Sequence, residues 1–367
     1  MSFTSDVCYH DGNDNGLLAL LKGYSALIPP FHLKFPLRCS FTDMHAFLLH
    51  QVLLDPHLEQ YAPSGRYQQA FWKWAIEHLE QMDKDDEDGE IDSRIYDRYL
   101  SLMSGSIDPS GPPPDSYMTY YWKPPSPLAL GSADRNSHET ITLLESRTTI
   151  ESGTTGLRTW RASFVLASYL IANAEMIRDQ TILELGCGTG FLGIVVATLQ
   201  HKFNESHRQP LPAVVLTDVN AGVLSRCRDN VQLRCNLSSN HPNIYFSTLD
   251  WFDALSQPLS ENAMTTFLSK ASVGVVIGAD IVFDPSLVSP LVATLRLALS
   301  FESTRMALVA LTVRNERTLA CFLTEAVKEL CVEEVPHAFA SATNFDLDTA
   351  GVDIGLDVKI FKFTPRN

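Results

Sequence analysis

The stretch that decides the fold is Thr181-Ile-Leu-Glu-Leu-Gly-Cys-Gly-Thr-Gly-Phe-Leu-Gly193. Residues 181–185 form a mainly apolar run that predicts a buried strand, and the glycines that follow predict a tight turn into a helix. Glycine suits such a turn because the backbone must approach a ligand closely with no Cβ in the way. The stretch therefore predicts a nucleotide-binding loop between a strand and a helix.

Two kinds of ligand fit this glycine loop. Gly188-x-Gly190-x-x-Gly193 has the spacing of the dinucleotide fingerprint, in which a pyrophosphate lies at the helix N-terminus. Gly186-x-Gly188-x-Gly190 fits instead the loop of enzymes that use S-adenosylmethionine (SAM). Glu184 separates the two, because an acid beside the loop repels pyrophosphate yet accepts hydrogen bonds from the cationic aminocarboxyl end of SAM. The charge favours SAM.

Outward from the loop, short apolar runs alternate with helical periodicity, which is typical of a parallel sheet with helices on both faces. We predict strands at 181–185, 213–217, 243–248, 273–279 and 305–313, and helices at 190–200, 220–235, 286–300 and 315–331. Alternation at 333–335 and 355–363 predicts an antiparallel final pair of strands, which is unusual for a plain dinucleotide domain. Before the loop we predict a hairpin of 138–145 with 148–152, and a helix over 159–174.

Acidic residues follow the strands after the glycine loop. Asp218 ends the second strand, where a carboxylate can accept hydrogen bonds from both ribose hydroxyls of NAD or SAM. Asp250 can accept from an adenine amino group, and Trp251 suits either the purine face or the core. Asp280 ends the fourth strand over the ligand crevice and lies too early to cap the next helix, whereas Asp284, before a proline, suits that cap. The sequence therefore predicts an acidic site at the carboxyl edge of the sheet.

The chain before the hairpin has another pattern. From about residue 15 to 103, apolar residues recur at spacings of three and four, which predicts a helical N-terminal domain over 1–103. Within it, the acidic run 82–90 is interpreted as a solvated loop. Residues 104–137 are dense in proline and glycine, so we expect a linker without regular structure there and a separate domain over 138–367.

Composition limits the possible partners. The 367 residues are 45% hydrophobic and 19% charged, as in ordinary soluble proteins. The net charge of −15 repels nucleic acid and favours a basic protein partner. The start of the chain has no basic region followed by an apolar one, and no apolar run is long enough to cross a membrane. The seven cysteines contain no C-x-x-C pair, so we expect reduced thiols and no structural metal. We expect a cytoplasmic protein, with the nucleus as an alternative location, and a monomer.

Three motifs occur here in the order found in a known family. Glu184–Gly190, Leu249-Asp-Trp251 and Ala279-Asp-Ile-Val-Phe283 resemble the motifs of the seven-β-strand methyltransferases, within the group of protein-lysine methyltransferases. Ser152–Trp160 and Leu311-Thr-Val-Arg-Asn315 are similar to the members that act on elongation factor 2, which also carry a helical N-terminal extension. The resemblance covers residues 138–365 well and the N-terminal domain in outline.

The resemblance implies a fold, a cofactor and a substrate. The fold would be α/β, a Rossmann-like seven-stranded SAM-dependent methyltransferase sheet with an antiparallel final strand pair, preceded by a mainly helical N-terminal domain. The substrate would be a lysine of elongation factor 2. With the residues argued above, the predicted cofactor-binding set is Trp160, Glu184, Gly186, Cys187, Gly188, Gly190, Asp218, Asp250, Trp251 and Ala279.

The same resemblance implies that Asp280 and Phe283 face the target lysine. Asp280 would attract and align the amine. Phe283 stands where the family commonly has tyrosine, so this position supplies either an aromatic wall or, if a phenol hydroxyl orients the amine, a lost contact. Cys187 is interpreted as a small loop residue and not as a nucleophile.

Three other functions compete. The first is a methyltransferase for RNA or a small molecule. RNA would need a basic, aromatic face, which the net charge of −15 opposes, and the Asn-Pro-Pro-aromatic tetrapeptide typical of base-amino methylation does not follow the fourth strand. An NAD-dependent oxidoreductase is disfavoured by Glu184 and by the antiparallel ending. A catalytically silent SAM-binding scaffold is suggested by Phe283.

Overall fold

The computed structural model describes residues 11–36, 39–83, 89–104, 113–124, 138–151, 153–204, 210–256, 263–336, 345 and 355–366. The chain divides between Tyr120 and Tyr121 into two compact units. Most of the acidic run 82–90, which we interpret as a loop, lies outside the described residues.

The first unit is helical. Its helices are α1 (Asp11–Ser25), α2 (Phe41–Phe47), α3 (Pro56–Gln60), α4 (Gly65–Gln81) and α5 (Ser93–Ser104), and α2 continues as a π-helical turn over Leu48–Leu53. The apolar residues at helical spacing meet in one core, in which Met44, Phe71 and Trp72 are almost fully buried. The side chains of Ser40 and Asp55 accept backbone N–H groups and so begin α2 and α3. The unit therefore has a core of its own.

One strand lies where the proline and glycine density predicted no regular structure. Strand β1 (Ser116–Trp122) has the sequence Ser-Tyr-Met-Thr-Tyr-Tyr-Trp, and most of its residues are buried. Aromatic residues favour strands, and this stretch contains no proline. The expectation of an irregular segment over all of 104–137 is therefore wrong for these residues.

The second unit contains the glycine loop and alternates strands with helices. Its elements are β2 (Glu139–Glu145), α6 (Arg161–Ala172), β3 (Ile182–Leu185), α7 (Phe191–Asn204), β4 (Val214–Asp218), α8 (Ala221–Val231), β5 (Ile244–Thr248), α9 (Ala263–Ala271), β6 (Val275–Ala279), α10 (Val288–Leu299), β7 (Met306–Thr312), α11 (Glu316–Glu329), β8 (Leu330–Glu334) and β9 (Val358–Pro365).

Seven of these strands form one sheet in the order β5-β4-β3-β6-β7-β9-β8. The pairs from β5 to β7 are parallel, and β9 lies antiparallel to both β7 and β8. Every residue of the central strand β3 is buried, which explains its near-continuous apolar sequence. The predicted α/β fold, seven-stranded with an antiparallel final pair, is confirmed.

The predicted hairpin before α6 is wrong in its second arm. Residues 148–151 form no strand; the Ser146 hydroxyl instead hydrogen-bonds to Thr148 and to the Glu151 carboxylate. Glu151 and Thr154 make only an isolated bridge. Serine and threonine hydroxyls favour such turns, so the β-branched residues here do not extend into a strand. Helix α9 was not predicted.

No described helix combines the length and the apolar character that crossing a membrane requires.

Candidate active site

The carboxyl ends of β3, β4, β5 and β6 open onto one cavity of about 290 Å³. Strand β3 pairs with β4 on one side and with β6 on the other, so the strand order reverses here. In open α/β sheets, this reversal leaves a crevice at the carboxyl edge in which ligands bind. The cavity lies at that place.

The structure brings the predicted site residues together, with one exception. Those that line the cavity are Trp160, Glu184, Gly186, Cys187, Gly188, Asp218, Asp250, Trp251, Ala279, Asp280 and Phe283. Gly190 is not among the residues that line it. Its φ is +92°, and a Cβ there would lie 2.9 Å from Cys227 Sγ, so this glycine permits close packing of the loop on α8.

The other glycines of the loop form a cradle beside the cavity. Gly186 and Gly188 have φ values of +63° and +53°, which disfavour other residues. A Cβ on Gly186 would lie 2.9 Å from Ile281, and one on Gly188 would lie 3.1 Å from the carbonyl oxygen of Gly156. Side chains at these two positions would collide with neighbouring protein atoms, so glycine allows the tight turn that lines the cavity.

Glu184 is a buried carboxylate with one unsatisfied oxygen. Its side chain accepts a backbone hydrogen bond from Gly193, but Oε2 has no hydrogen-bond partner among the described residues. Burial, reinforced by the nearby Asp218 carboxylate, raises the pKa of Glu184 well above its usual value. Because Glu184 also lines the cavity, a ligand that places a positive charge beside it would stabilise the ionised carboxylate.

Asp218 is fixed by the backbone around it. Its carboxylate accepts the N–H of Asn220 at 2.9 Å and also that of Gly188. These hydrogen bonds lower its pKa, but burial outweighs them and the pKa is raised. The carboxylate is thus oriented at the end of β4, where it can accept hydroxyl groups.

Asp250 and Trp251 serve the fold as well as the cavity. Asp250 accepts the N–H of Phe252 at 3.0 Å and begins the 3₁₀ turn Trp251–Leu255. Trp251 packs against the main apolar core and lies beside Gly186. The two interpretations of Trp251, core residue and cavity wall, are therefore compatible.

Cys187 lies in the loop as a neutral thiol. A hydrogen bond with the Cys227 thiol and burial raise the pKa of Cys187 well above its usual value. A raised pKa disfavours the thiolate that nucleophilic attack requires. Its position agrees with a packing role in the loop. The described residues contain no cluster of histidine, cysteine, aspartate and glutamate that could hold a metal ion.

Asp280 is held by the end of the neighbouring strand β7. It has a left-handed φ of +55°, and its backbone N–H donates to Ala310. Its Oδ1 accepts the N–H of Thr312 at 2.8 Å, and its Oδ2 accepts the Thr312 hydroxyl at 2.9 Å and Arg314 Nη2 at 3.1 Å. The sequence analysis placed Asp280 at the cavity but assigned no role to Arg314.

A buried network next to the cavity also escaped the sequence analysis. Glu145, at the end of β2, accepts the backbone N–H of Thr159 at 3.2 Å and its hydroxyl at 2.5 Å. The Thr159 hydroxyl lies 2.8 Å from that of Thr189 in the glycine loop. Burial raises the pKa of Glu145. In the sequence, this network is signalled locally only by an acid at the end of a predicted strand. Its partner Thr159 follows 14 residues later, so no local pattern links the two.

Phe283 is 59% exposed at the mouth of the cavity. Val219 and Phe252 line the same cavity and are 61% and 49% exposed. The mouth of the cavity is therefore apolar, although carboxylates, among them Glu184, Asp218 and Asp280, line the same cavity.

Comparison with known proteins agrees with this geometry. Residues 137–328 match the family described as lysine methyltransferase. The chain is 30% identical over 278 residues to protein-lysine N-methyltransferase EFM3 of Chaetomium thermophilum. This alignment covers 75% of this chain and 76% of that protein. It is 33% identical to human protein-lysine N-methyltransferase EEF2KMT over 50% of this chain and 54% of the human protein, so the match spans about half of that relative.

A magnesium protoporphyrin IX methyltransferase from Synechocystis, solved with bound SAM, aligns with a TM-score of 0.34 at 13% identity, over 56% of this chain and 78% of that one. The family match covers more than half of the 367 residues and includes every residue that lines the cavity. This chain belongs to the lysine methyltransferase family.

Proposed function

We propose that this protein transfers methyl groups from SAM to a lysine side chain of elongation factor 2. The observation that carries the proposal is the buried carboxylate of Glu184, which lines a cavity together with further carboxylates. A cavity of this charge suits a cationic ligand and disfavours pyrophosphate. The substrate is supported by the similarity of Ser152–Trp160 and Leu311–Asn315 to the family members that act on elongation factor 2.

The residues present fit SAM. The Glu184 carboxylate would accept the ammonium group, and Arg158, which also lines the cavity, carries the charge that suits the carboxylate of SAM. Asp218 would accept the ribose hydroxyls, and Trp251 with Asp250 would contact the adenine. The cradle at Gly186 and Gly188 would let the backbone approach the nucleoside.

When bound, SAM would supply a methyl group on a sulfonium: the neutral lysine amine would form the new N–C bond as the S–C bond breaks, with S-adenosylhomocysteine as the leaving group and the amine proton lost to water. A lysine in water has a pKa near 10.4 and is almost wholly protonated at neutral pH. The apolar mouth around Phe283 would desolvate the amine and lower its pKa. Asp280, fixed on β7, would orient the amine through a hydrogen bond. The remaining acceleration comes from positioning, which is worth up to about 7–11 kcal/mol in well-oriented reactions.

Methylation of the purified factor tests this proposal. Elongation factor 2 from cells that lack this protein is incubated with labelled SAM and the enzyme, and the product is mapped by mass spectrometry. We expect methyl groups on one lysine. Transfer to another protein of the same extract, with none to elongation factor 2, would contradict the proposed substrate. Binding of SAM with no transfer to any component would instead support the silent scaffold.

Asp280→Gly is the matched variant. Glycine tolerates the left-handed backbone, so this change removes the carboxylate without the backbone strain that alanine would add. We expect methyl transfer to fall by about two orders of magnitude, because the amine loses the acceptor that orients it. SAM affinity, measured by calorimetry, should change little. An equal loss of SAM binding would show that Asp280 supports the cofactor pocket instead.

We further infer that the protein acts in the cytoplasm as a monomer, on a protein and not on nucleic acid. The net charge of −15 supports this, because it opposes self-association and repels phosphate backbones. We also propose a helical domain over 1–103, a linker over 104–137 and a methyltransferase domain over 138–367. The division of the chain between Tyr120 and Tyr121 falls inside the proposed linker and supports a boundary there.

A further inference from the structure

Arg314 joins two side chains that line the cavity. It follows β7, and its Nη2 lies 3.1 Å from Asp280 Oδ2. Its guanidinium carbon lies 4.7 Å from the centre of the Trp160 ring. The side chains of Asp280 and Arg314 are 5% and 34% exposed, so this ion pair is partly shielded from water.

An uncompensated carboxylate at Asp280 would oppose the proposed reaction. It would stabilise the ammonium form of the target lysine and raise the pKa of that amine. Attack on the methyl group requires the neutral form, so tighter binding of the ammonium would slow the transfer. A neighbouring cation is therefore needed that compensates the negative charge of Asp280 and leaves one of its oxygens able to accept a hydrogen bond from the amine.

We propose that Arg314 is a positioning residue that compensates the charge of Asp280, so that the target lysine meets Asp280 as a neutral amine that donates one N–H. The inference rests on the proposed function, because it concerns the acceptor amine of that reaction.

The geometry leaves room for this contact. An ionised carboxylate has about four acceptor positions. Thr312 and Arg314 occupy three of them, two on Oδ2 and one on Oδ1. The contacts among the described residues thus leave one acceptor position on Oδ1 for an amine, and Asp280 lines the cavity. The contacts with Thr312 and the backbone bond to Ala310 fix the direction in which this oxygen points.

Other titratable groups lie in the cavity lining or beside the segments that carry Asp280 and Arg314. The lining contains Arg158, Glu184, Asp218 and Asp250, and Cys187 as a neutral thiol, while Asp284 follows β6 and Asp357 precedes β9. None of them is changed when Arg314 alone is replaced. A comparison of two variants at this position therefore isolates the charge of Arg314.

The test compares Arg314→Gln with Arg314→Lys, using unmodified elongation factor 2 as the substrate. Both kcat and KM are measured as functions of pH, while SAM affinity and the melting temperature are followed as checks on folding. Glutamine keeps a polar side chain but removes the charge. Lysine keeps the charge and loses the planar fork.

For Arg314→Gln we expect kcat at neutral pH to fall about tenfold and the pH of half-maximal rate to rise by about one unit, because one pKa unit is a tenfold change in neutral amine. The rate should recover at alkaline pH, and KM for elongation factor 2 should not rise. Arg314→Lys should keep the wild-type pH profile.

A loss in Arg314→Gln by the same factor at every pH would overturn the inference, as would a failure of Arg314→Lys to restore the profile. A loss of SAM affinity or of folding in Arg314→Gln would also overturn it, since Arg314 would then be structural. If wild-type protein fails to methylate elongation factor 2, the proposed function is refuted and this inference falls with it. The two failures are distinguished by the wild-type rate.

Discussion

Glu184 combines a cost to the fold with a use in the site. Its buried Oε2 lacks a donor, and burial raises its pKa. A carboxyl group whose pKa is raised on folding stabilises the folded protein most at acidic pH, and this contribution is lost as pH rises through the folded pKa. A ligand that brings an ammonium group would offset the cost.

Replacement of Glu184 by glutamine tests that use. We expect SAM to bind about 10- to 100-fold more weakly, because a hydrogen bond to a charged group is worth roughly 1.5–3 kcal/mol. The unligated variant should melt no lower than the wild type above neutral pH, since it buries no charge there. Binding is measured by calorimetry and melting by circular dichroism.

Methylthioadenosine, which lacks the aminocarboxyl end, is the control ligand for Glu184→Gln. Its affinity should be the same for both proteins. A parallel loss for both ligands would mean that Glu184 acts on the shape of the loop and not on the ammonium group.

The raised pKa of Glu184 also predicts how SAM affinity depends on pH. Only the ionised carboxyl attracts the ammonium, so SAM affinity should rise with pH and level off above the pKa of the free protein. Below that pKa, binding should release protons, which calorimetry in buffers of different ionisation enthalpy detects. Asp218, whose pKa is also raised, adds to the slope.

Glu184→Gln should therefore reduce this slope without abolishing it. An affinity that falls as pH rises, or a slope that the variant leaves unchanged, would contradict the assignment of Glu184 to the ammonium group.

Among the elements, the glycine loop uses its alternating glycines for two purposes: two of them line the cavity, and the third allows close packing on a helix. Gly186 and Gly188 face the cavity, whereas Gly190 packs on Cys227 of α8. The loop is therefore fixed from behind by a helix and open in front to a ligand. Rigidity of this kind preorganises a binding site.

Gly190→Ala should disturb the loop from behind. The new Cβ would meet Cys227 Sγ at 2.9 Å, and the backbone has a φ of +92°. We expect the free energy of unfolding to fall by about 2–4 kcal/mol, as strain and overpacking add. SAM affinity should fall as well, although Gly190 does not line the cavity. Urea unfolding and calorimetry measure the two effects.

Gly153→Ala is the matched control for this substitution. Its φ is +77°, but nothing lies within 4 Å of the added Cβ. It should cost only the backbone strain of about 1–2 kcal/mol and leave SAM binding unchanged. Equal losses in the two variants would show that packing on α8 is unimportant.

The elements were predictable because their signals are local. A run of apolar residues with β-branched side chains is a strand signal within a few positions, and the strands from β3 to β7 all carry it. The cavity lining followed from strand ends, which topology brings to one edge. Contacts across the sequence were not predictable: Arg314 meets Asp280 across 34 residues, and no periodic pattern encodes such a pair.

For the whole molecule, the second unit alone provides the cavity, whose lining runs from Thr154 to Leu287. The first unit has its own core of aromatic and aliphatic residues. The net charge of −15 and the apolar mouth together favour a folded substrate that presents a lysine amid basic and apolar surface.

The apolar mouth predicts where such a substrate makes contact. Leu255 ends the 3₁₀ turn that carries Trp251 and Phe252, is 46% exposed, and does not line the cavity. We expect Leu255→Ser to raise KM for elongation factor 2 about fivefold to tenfold, because an apolar side chain buried on docking contributes roughly 1–1.4 kcal/mol. Val327→Ser is the matched control, since Val327 on α11 is 49% exposed and also lies outside the lining. Steady-state kinetics that show equal KM values for the two variants, or a changed SAM affinity in Leu255→Ser, would place the docking surface elsewhere.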